Sequence, residues 1–110
     1  LWYTTATAVG GSATAVLDPI DVSLYNRFSI QIYNSDGSVV GVGKVMGSLL
    51  DTPNATITTA SDWTQIGDDI SVGTSSSAFK VLSTTPVRWL SISATGNGAD
   101  LIVYVYGQQV

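Results

Sequence analysis

The sequence predicts an all-β protein, an antiparallel sandwich of two sheets. No segment carries the 3.6-residue apolar period of a helix, runs rich in Val, Ile, Thr, Tyr and Trp alternate in polarity, and Gly, Asn, Asp, Ser and Pro punctuate them at short spacing. At 110 residues the chain is the size of one domain with a single core. Residues 1–110 are read as that domain, with 1–12 as a candidate extended N-terminal arm.

Strands are expected at Trp2 to Ala8, Ala13 to Leu17, Arg27 to Asn34, Val39 to Leu50, Ala55 to Thr59, Thr64 to Ile66, Ala78 to Leu82, Val87 to Thr95 and Leu101 to Tyr106. In RFSIQIYN, Phe28, Ile30 and Ile32 share one face and Arg27, Ser29, Gln31 and Tyr33 the other, so the first set is assigned to the core. Asp36-Gly37 follows as a type I′ hairpin signal, which predicts that the next strand pairs antiparallel with Arg27 to Asn34. Pro19 in LDPIDVSLYN donates no ladder hydrogen bond and marks an edge or crossing segment. Gly41, Gly43 and Gly47 are read as sites of bulges or of close approach by neighbouring backbone. ATAVGGSATA and VGTSSSAF are read as loops.

The closing stretch, TTPVRWLSISATGNGADLIVYVYGQQV, reads as two strands joined by a glycine-rich turn. Leu90 and Ile92 are assigned to the core with Trp89 opposite. In the last strand Leu101, Val103 and Val105 alternate with Ile102, Tyr104 and Tyr106, so both faces are apolar or aromatic. A half-solvated strand does not need this, and something is expected to cover the outer set, the N-terminal LWYTT or a neighbouring subunit.

Composition excludes much chemistry. Charged residues make up 11% of the chain and the net charge is −4. Arg27, Lys44, Lys80 and Arg88 are dispersed, so no basic stripe meets a phosphate backbone and nucleic acid is excluded as a partner. The chain has no Cys and no His, which removes thiol nucleophiles, disulfides, the commonest general base and the commonest transition-metal ligand. No apolar run approaches the roughly 20 residues of a bilayer span, and none has the form of a signal peptide, so no membrane partner is expected.

The acidic residues are all aspartates, eight in number, and Asp62, Asp68 and Asp69 form the tightest set. Their spacing matches no calcium loop and they are read as turn residues; no metal and no cofactor are expected. Ser75 to Ser77 have no histidine to activate them, so no catalytic residue is assigned. Asn54-Ala55-Thr56 fits the N-glycosylation pattern. The remaining candidates are aromatic: Trp2, Tyr3, Tyr25, Tyr33, Trp63, Trp89, Tyr104 and Tyr106. Aromatic rings on a sheet stack on sugars or anchor protein contacts.

The succession of Gly47-Ser48-Leu49, Trp63-Thr64-Gln65-Ile66-Gly67, Pro86, Arg88 and the Gly96-Asn97-Gly98 hairpin resembles a small jelly-roll-type β-sandwich module of phage and other viral structural proteins. The likeness runs from Phe28 to Gly107, and the chain departs from it by inserting LDTPNATITTASD before Trp63. The resemblance implies a jelly-roll-like, non-enzymatic virion protein, a capsid decoration or cement protein or a tail-associated subunit. Its partners would be itself and other virion proteins, and its place the virion or the extracellular space. A homo-oligomer is expected, a trimer by analogy, with Trp2, Tyr3, Trp89, Ile102, Tyr104 and Tyr106 at subunit contacts. Two alternatives stand beside it. One is a carbohydrate-binding or adhesion module, the other an extracellular filament subunit joined by exchange of the LWYTTATAVGG strand.

Overall fold

The computed structural model describes residues 2–9 as backbone, and residues 14–50, 62–82, 87–96 and 98–109 in full. They form nine strands: β1 (Trp2–Val9), β2 (Thr14–Asp21), β3 (Arg27–Asn34), β4 (Gly41–Ser48), β5 (Thr64–Gln65), β6 (Ile70–Val72), β7 (Ser76–Leu82), β8 (Trp89–Thr95) and β9 (Ala99–Gln108). The expected strand Ala55 to Thr59, the Asn54 triplet, most of the inserted segment, and Pro86 lie outside the described residues.

The strands pair by nesting. β1 runs antiparallel to β9, β2 to β8, β3 to β7, and β4 to β5 and β6. Further antiparallel ladders, β3 with β9 and β4 with β8, join these ribbons into two sheets. One sheet has the order β1-β9-β3-β7; the other is β2-β8-β4-β5, with β6 beside β4.

This topology overturns both expected hairpins. β3 pairs with β7 and β9, and β4 lies in the opposite sheet. Neither Asp36 nor Gly37 has the positive φ that a type I′ turn requires. The Asp36 carboxylate instead accepts from the amides of Ser38 and Val39, at 2.7 and 2.9 Å, and from the Ser38 hydroxyl. Those bonds turn the chain out of one sheet and into the other. The turn after β8 does the same, because β8 belongs to the β2-β8-β4 sheet and β9 to its partner. Gly96 and Gly98 there take φ of 155° and 94°, and a Cβ on Gly96 would lie 2.9 Å from the Val40 carbonyl oxygen.

Alternation buries the expected residues. Phe28, Ile30, Ile32, Leu101, Val103 and Val105 of one sheet meet Leu17, Val45, Leu90, Ile92 and Val72 of the other, all fully buried. Burying side chains of this kind stabilises by roughly 1.5–3 kcal/mol each. Gly41 and Gly43 of β4 serve this contact and not a bulge, since the β4–β8 register is unbroken, while Gly47 is crowded by Ile66 and Val87. A Cβ on Gly43 would stand 2.6 Å from Ile32 Cδ1, and one on Gly41 3.0 Å from a Leu101 methyl. They make room for side chains of the facing sheet.

Pro19 does sit in an edge strand. The β2–β8 register shifts between Leu17 and Ile20, and the Ser91 hydroxyl donates to the Leu17 carbonyl where the ladder breaks. The strand readings at Trp2 to Ala8 and Ala13 to Leu17 stand where the structure describes them, and of the residues read only as loop Val9 belongs to β1 while Ser76 and Ser77 open β7. β6 was not expected at all. Its three residues are too few to show a period, and only the pairing with Gly41 to Gly43 defines it.

Candidate interaction surface

The outer face of the four-stranded sheet gathers side chains from distant parts of the sequence. On β9, Ile102 and Tyr104 are half-buried and Tyr106 is 52% exposed, while the intervening Leu101, Val103 and Val105 fill the core. Register sets their neighbours. Tyr106 pairs with Trp2 of β1 and Ser29 of β3, and Ser29 with Val81 of β7; Tyr104 pairs with Thr4 and Gln31, and Gln31 with Phe79; Ile102 pairs with Ala6 and Tyr33, and Tyr33 with Ser77. Phe79 is 66% and Val81 52% exposed. Aromatic and aliphatic side chains of β9 and β7 thus flank the polar Ser29 and Gln31 of β3, with a shallow hollow of about 230 Å³ lined by Ser29, Gln31, Phe79, Tyr104, Val105 and Tyr106.

Among the described residues that face carries two charged side chains, at opposite ends. Arg27 pairs with Gln108 at one end, and Asp100 stands beside Ser35 at the other; both are exposed. A second cation nearby, Lys80 of β7, pairs with Ile30 on the inner side of the edge strand and donates to the Asp68 carbonyl at 3.1 Å. An inward charge of this kind blunts a free sheet edge.

Of the expected contact residues, Ile102, Tyr104 and Tyr106 share this face and Trp2 is register-paired to it. Tyr3 pairs with Val105, a core position. Trp89 lies in the other sheet, half-buried, with a buried Nε1 that has no hydrogen-bond partner among the described residues. Of the two covers expected for the Tyr104–Tyr106 stripe, LWYTT of the same chain or a neighbouring subunit, the first is corrected: Trp2–Thr5 do not lie over it. Trp2–Val9, part of the expected arm, is the edge strand β1 in the same plane as β9. Trp63 is buried. Phe79 and Val81 were missed, although the alternation of AFKVL held the signal; Lys80 on the inner side disguised it.

No group of three His, Cys, Asp or Glu among the described residues is placed to hold a metal ion. Asp69 engages Gln65 at 2.7 Å and Lys44 at 3.8 Å. Two aspartates titrate below their ordinary range. For Asp36 the amide of Ser38 contributes most, followed by the Ser38 hydroxyl and the Val39 amide. For Asp21 the Ser23 amide leads, then its hydroxyl, with Arg88 adding a smaller attraction. A second cleft, of about 540 Å³, opens at the end of the sandwich beside Arg88, between the exposed Leu24 and Leu49. Among the described residues no helix is long and apolar enough to cross a membrane.

Neither a protein-family model nor a curated protein sequence matches the chain. Solved structures match its fold. A crystal structure of PirA superposes with a TM-score of 0.55 at 14% identity, covering 96% of this chain and 94% of that one. A structure of Bacillus endospore appendages, described as disulfide-linked pili, gives 0.52 at 16% identity, covering 99% and 87%.

Proposed function

We propose that the protein is a non-enzymatic structural subunit that works by packing against copies of itself and against other proteins of an assembly. The observation that carries this is the outer face of the four-stranded sheet: Phe79, Val81 and Tyr106 exposed, Tyr104, Ile102 and Tyr33 half-buried, and no charge between the two ends. Exposed large apolar side chains gathered on one uncharged face mark contacts, because leaving them in water forfeits the transfer free energy of each ring.

Nested pairing of strands across two sheets supports a jelly-roll reading, an architecture that viral capsid proteins share with lectins. With the sequence resemblance, it favours a virion component, a capsid decoration or cement protein or a tail-associated subunit. The likeness of fold to an endospore pilus supports a second reading, an extracellular filament subunit. This chain has no cysteine, so such a filament would be held without disulfides. Tyr104→Asp with Tyr106→Asp tests the common element. The assembled mass by light scattering is expected to fall to that of a single chain with the β-type circular dichroism unchanged; an unaltered assembled mass would overturn the reading.

A further inference from the structure

The face has a self-complementary layout. Down β3 its outer positions are Arg27, Ser29, Gln31 and Tyr33, and down β9, running the other way, they are Asp100, Ile102, Tyr104, Tyr106 and Gln108. Gln31 and Tyr104 occupy the middle row. Two rows to one side lies the cation Arg27, and two rows to the other the anion Asp100. The hollow sits over Ser29, one row from the centre, and the half-buried ring of Tyr33 stands one row away on the opposite side.

Resting on the assembly reading above, we propose that this sheet packs face to face with the same sheet of a second copy. The two-fold axis lies in the contact plane, perpendicular to the strands, over Gln31. That operation exchanges rows while keeping columns. It sets Tyr33 of each copy over the Ser29 hollow of the other, Tyr106 against Ile102, Tyr104 against its own image, and Arg27 next to the column holding Asp100. A two-fold axis parallel to the strands would keep the rows instead, and the two charges would never meet. An isologous contact of this kind makes dimers or even-numbered assemblies, in place of the trimer expected by analogy.

The size of the face fits a contact that is one of several. Four strands spaced about 4.8 Å apart, each about 26 Å long over eight residues, present about 500 Å² per copy. About 1,000 Å² in total is the threshold for a specific interface. The isolated pair is therefore weak and concentration-dependent, and strengthens when other contacts in an assembly raise the effective concentration.

Charge reversal tests the geometry, since Arg27 and Asp100 are exposed and their exchange leaves the core untouched. Sedimentation equilibrium at low ionic strength on Arg27→Asp alone, or Asp100→Arg alone, is expected to show the dimer weakened about tenfold, as two symmetric attractions become repulsions. An equimolar mixture of the two variants is expected to restore it, because every cross-copy pair in the mixed dimer is again of opposite sign. Singles that bind as the parent does, or a mixture that fails to recover, overturn this geometry. If Phe79→Ser then still abolishes association, the face remains the contact and only its two-fold arrangement is wrong. If Phe79→Ser also leaves association intact, the assembly reading fails with it.

Discussion

The outer faces of the two sheets differ in a way that side-chain size alone would not suggest. On the four-stranded sheet Phe79 and Tyr106, a phenylalanine and a tyrosine, are more than half exposed. On the five-stranded sheet the outward-alternating Ser91 and Ser93 of β8 are 0% and 4% exposed. The small polar residues sit inside the molecule's own contacts, Ser91 donating to the Leu17 carbonyl where β2 departs from register. The large apolar ones are left on the surface. Alternation says which side of a sheet a residue takes; what lies over that side decides whether the residue serves the fold or a partner.

The comparison predicts opposite responses to substitution. The seam between the sheets gives the largest effect: Ile32→Ala is expected to destabilise by about 2–5 kcal/mol in denaturant unfolding, through lost burial and a cavity. Gly43→Val enters the same seam from the other side, where its Cβ has 2.6 Å to Ile32 Cδ1, and is expected to cost about 1–3 kcal/mol as overpacking. Ile32→Val should relieve part of that; strictly additive losses would show that the two residues do not meet. Ser91→Ala comes next at about 1–3 kcal/mol, since it leaves the buried Leu17 carbonyl short of a donor. Phe79→Ser, a far larger deletion, is expected to stay within about 0.5 kcal/mol for the isolated chain and to register in assembled mass instead. A Phe79→Ser chain that unfolds as readily as Ile32→Ala would erase the distinction between the two faces.

How much of this was legible follows from the same physics. Phe28, Ile30 and Ile32 could be placed in the core because one residue per two on a single strand is local information. Leu101, Val103 and Val105 could be separated from Ile102, Tyr104 and Tyr106 for the same reason, but which set turns inward depends on the sheet opposite. Pairing partners were not legible. Asp36-Gly37 and Gly96-Asn97-Gly98 both look like hairpin turns, yet each carries the chain between sheets, and nothing in a two-residue turn signal records which strand lies beside the next one. The surface was half legible: Tyr104 and Tyr106 stand out in an apolar strand, whereas Phe79 and Val81 join them only through the β3–β7 register.

The last expected effect is small and pH-dependent, and concerns the turn that leaves the aromatic sheet. Asp36 titrates below the ordinary aspartate range because its carboxylate accepts from the Ser38 amide first, then the Ser38 hydroxyl and the Val39 amide. A depressed carboxylate binds its proton more weakly in the folded chain than in the unfolded one. Its contribution is therefore full above the unfolded value, about 4, and is lost as pH falls through that value towards the lower folded one. Asp21 at the end of β2 obeys the same sign through Ser23. The melting temperature is expected to stay level from neutral pH to about 5 and to decline below about 4. Asp36→Asn removes the charge that favours the turn, so it should lower the midpoint at neutral pH and flatten the acid decline. Because Asp36 is only half-buried, the difference should be smaller than that of Ser91→Ala. A variant that matches the parent at neutral pH and declines with the same slope below pH 4 would mean that the turn out of β3 is held by backbone geometry and not by the Asp36 charge.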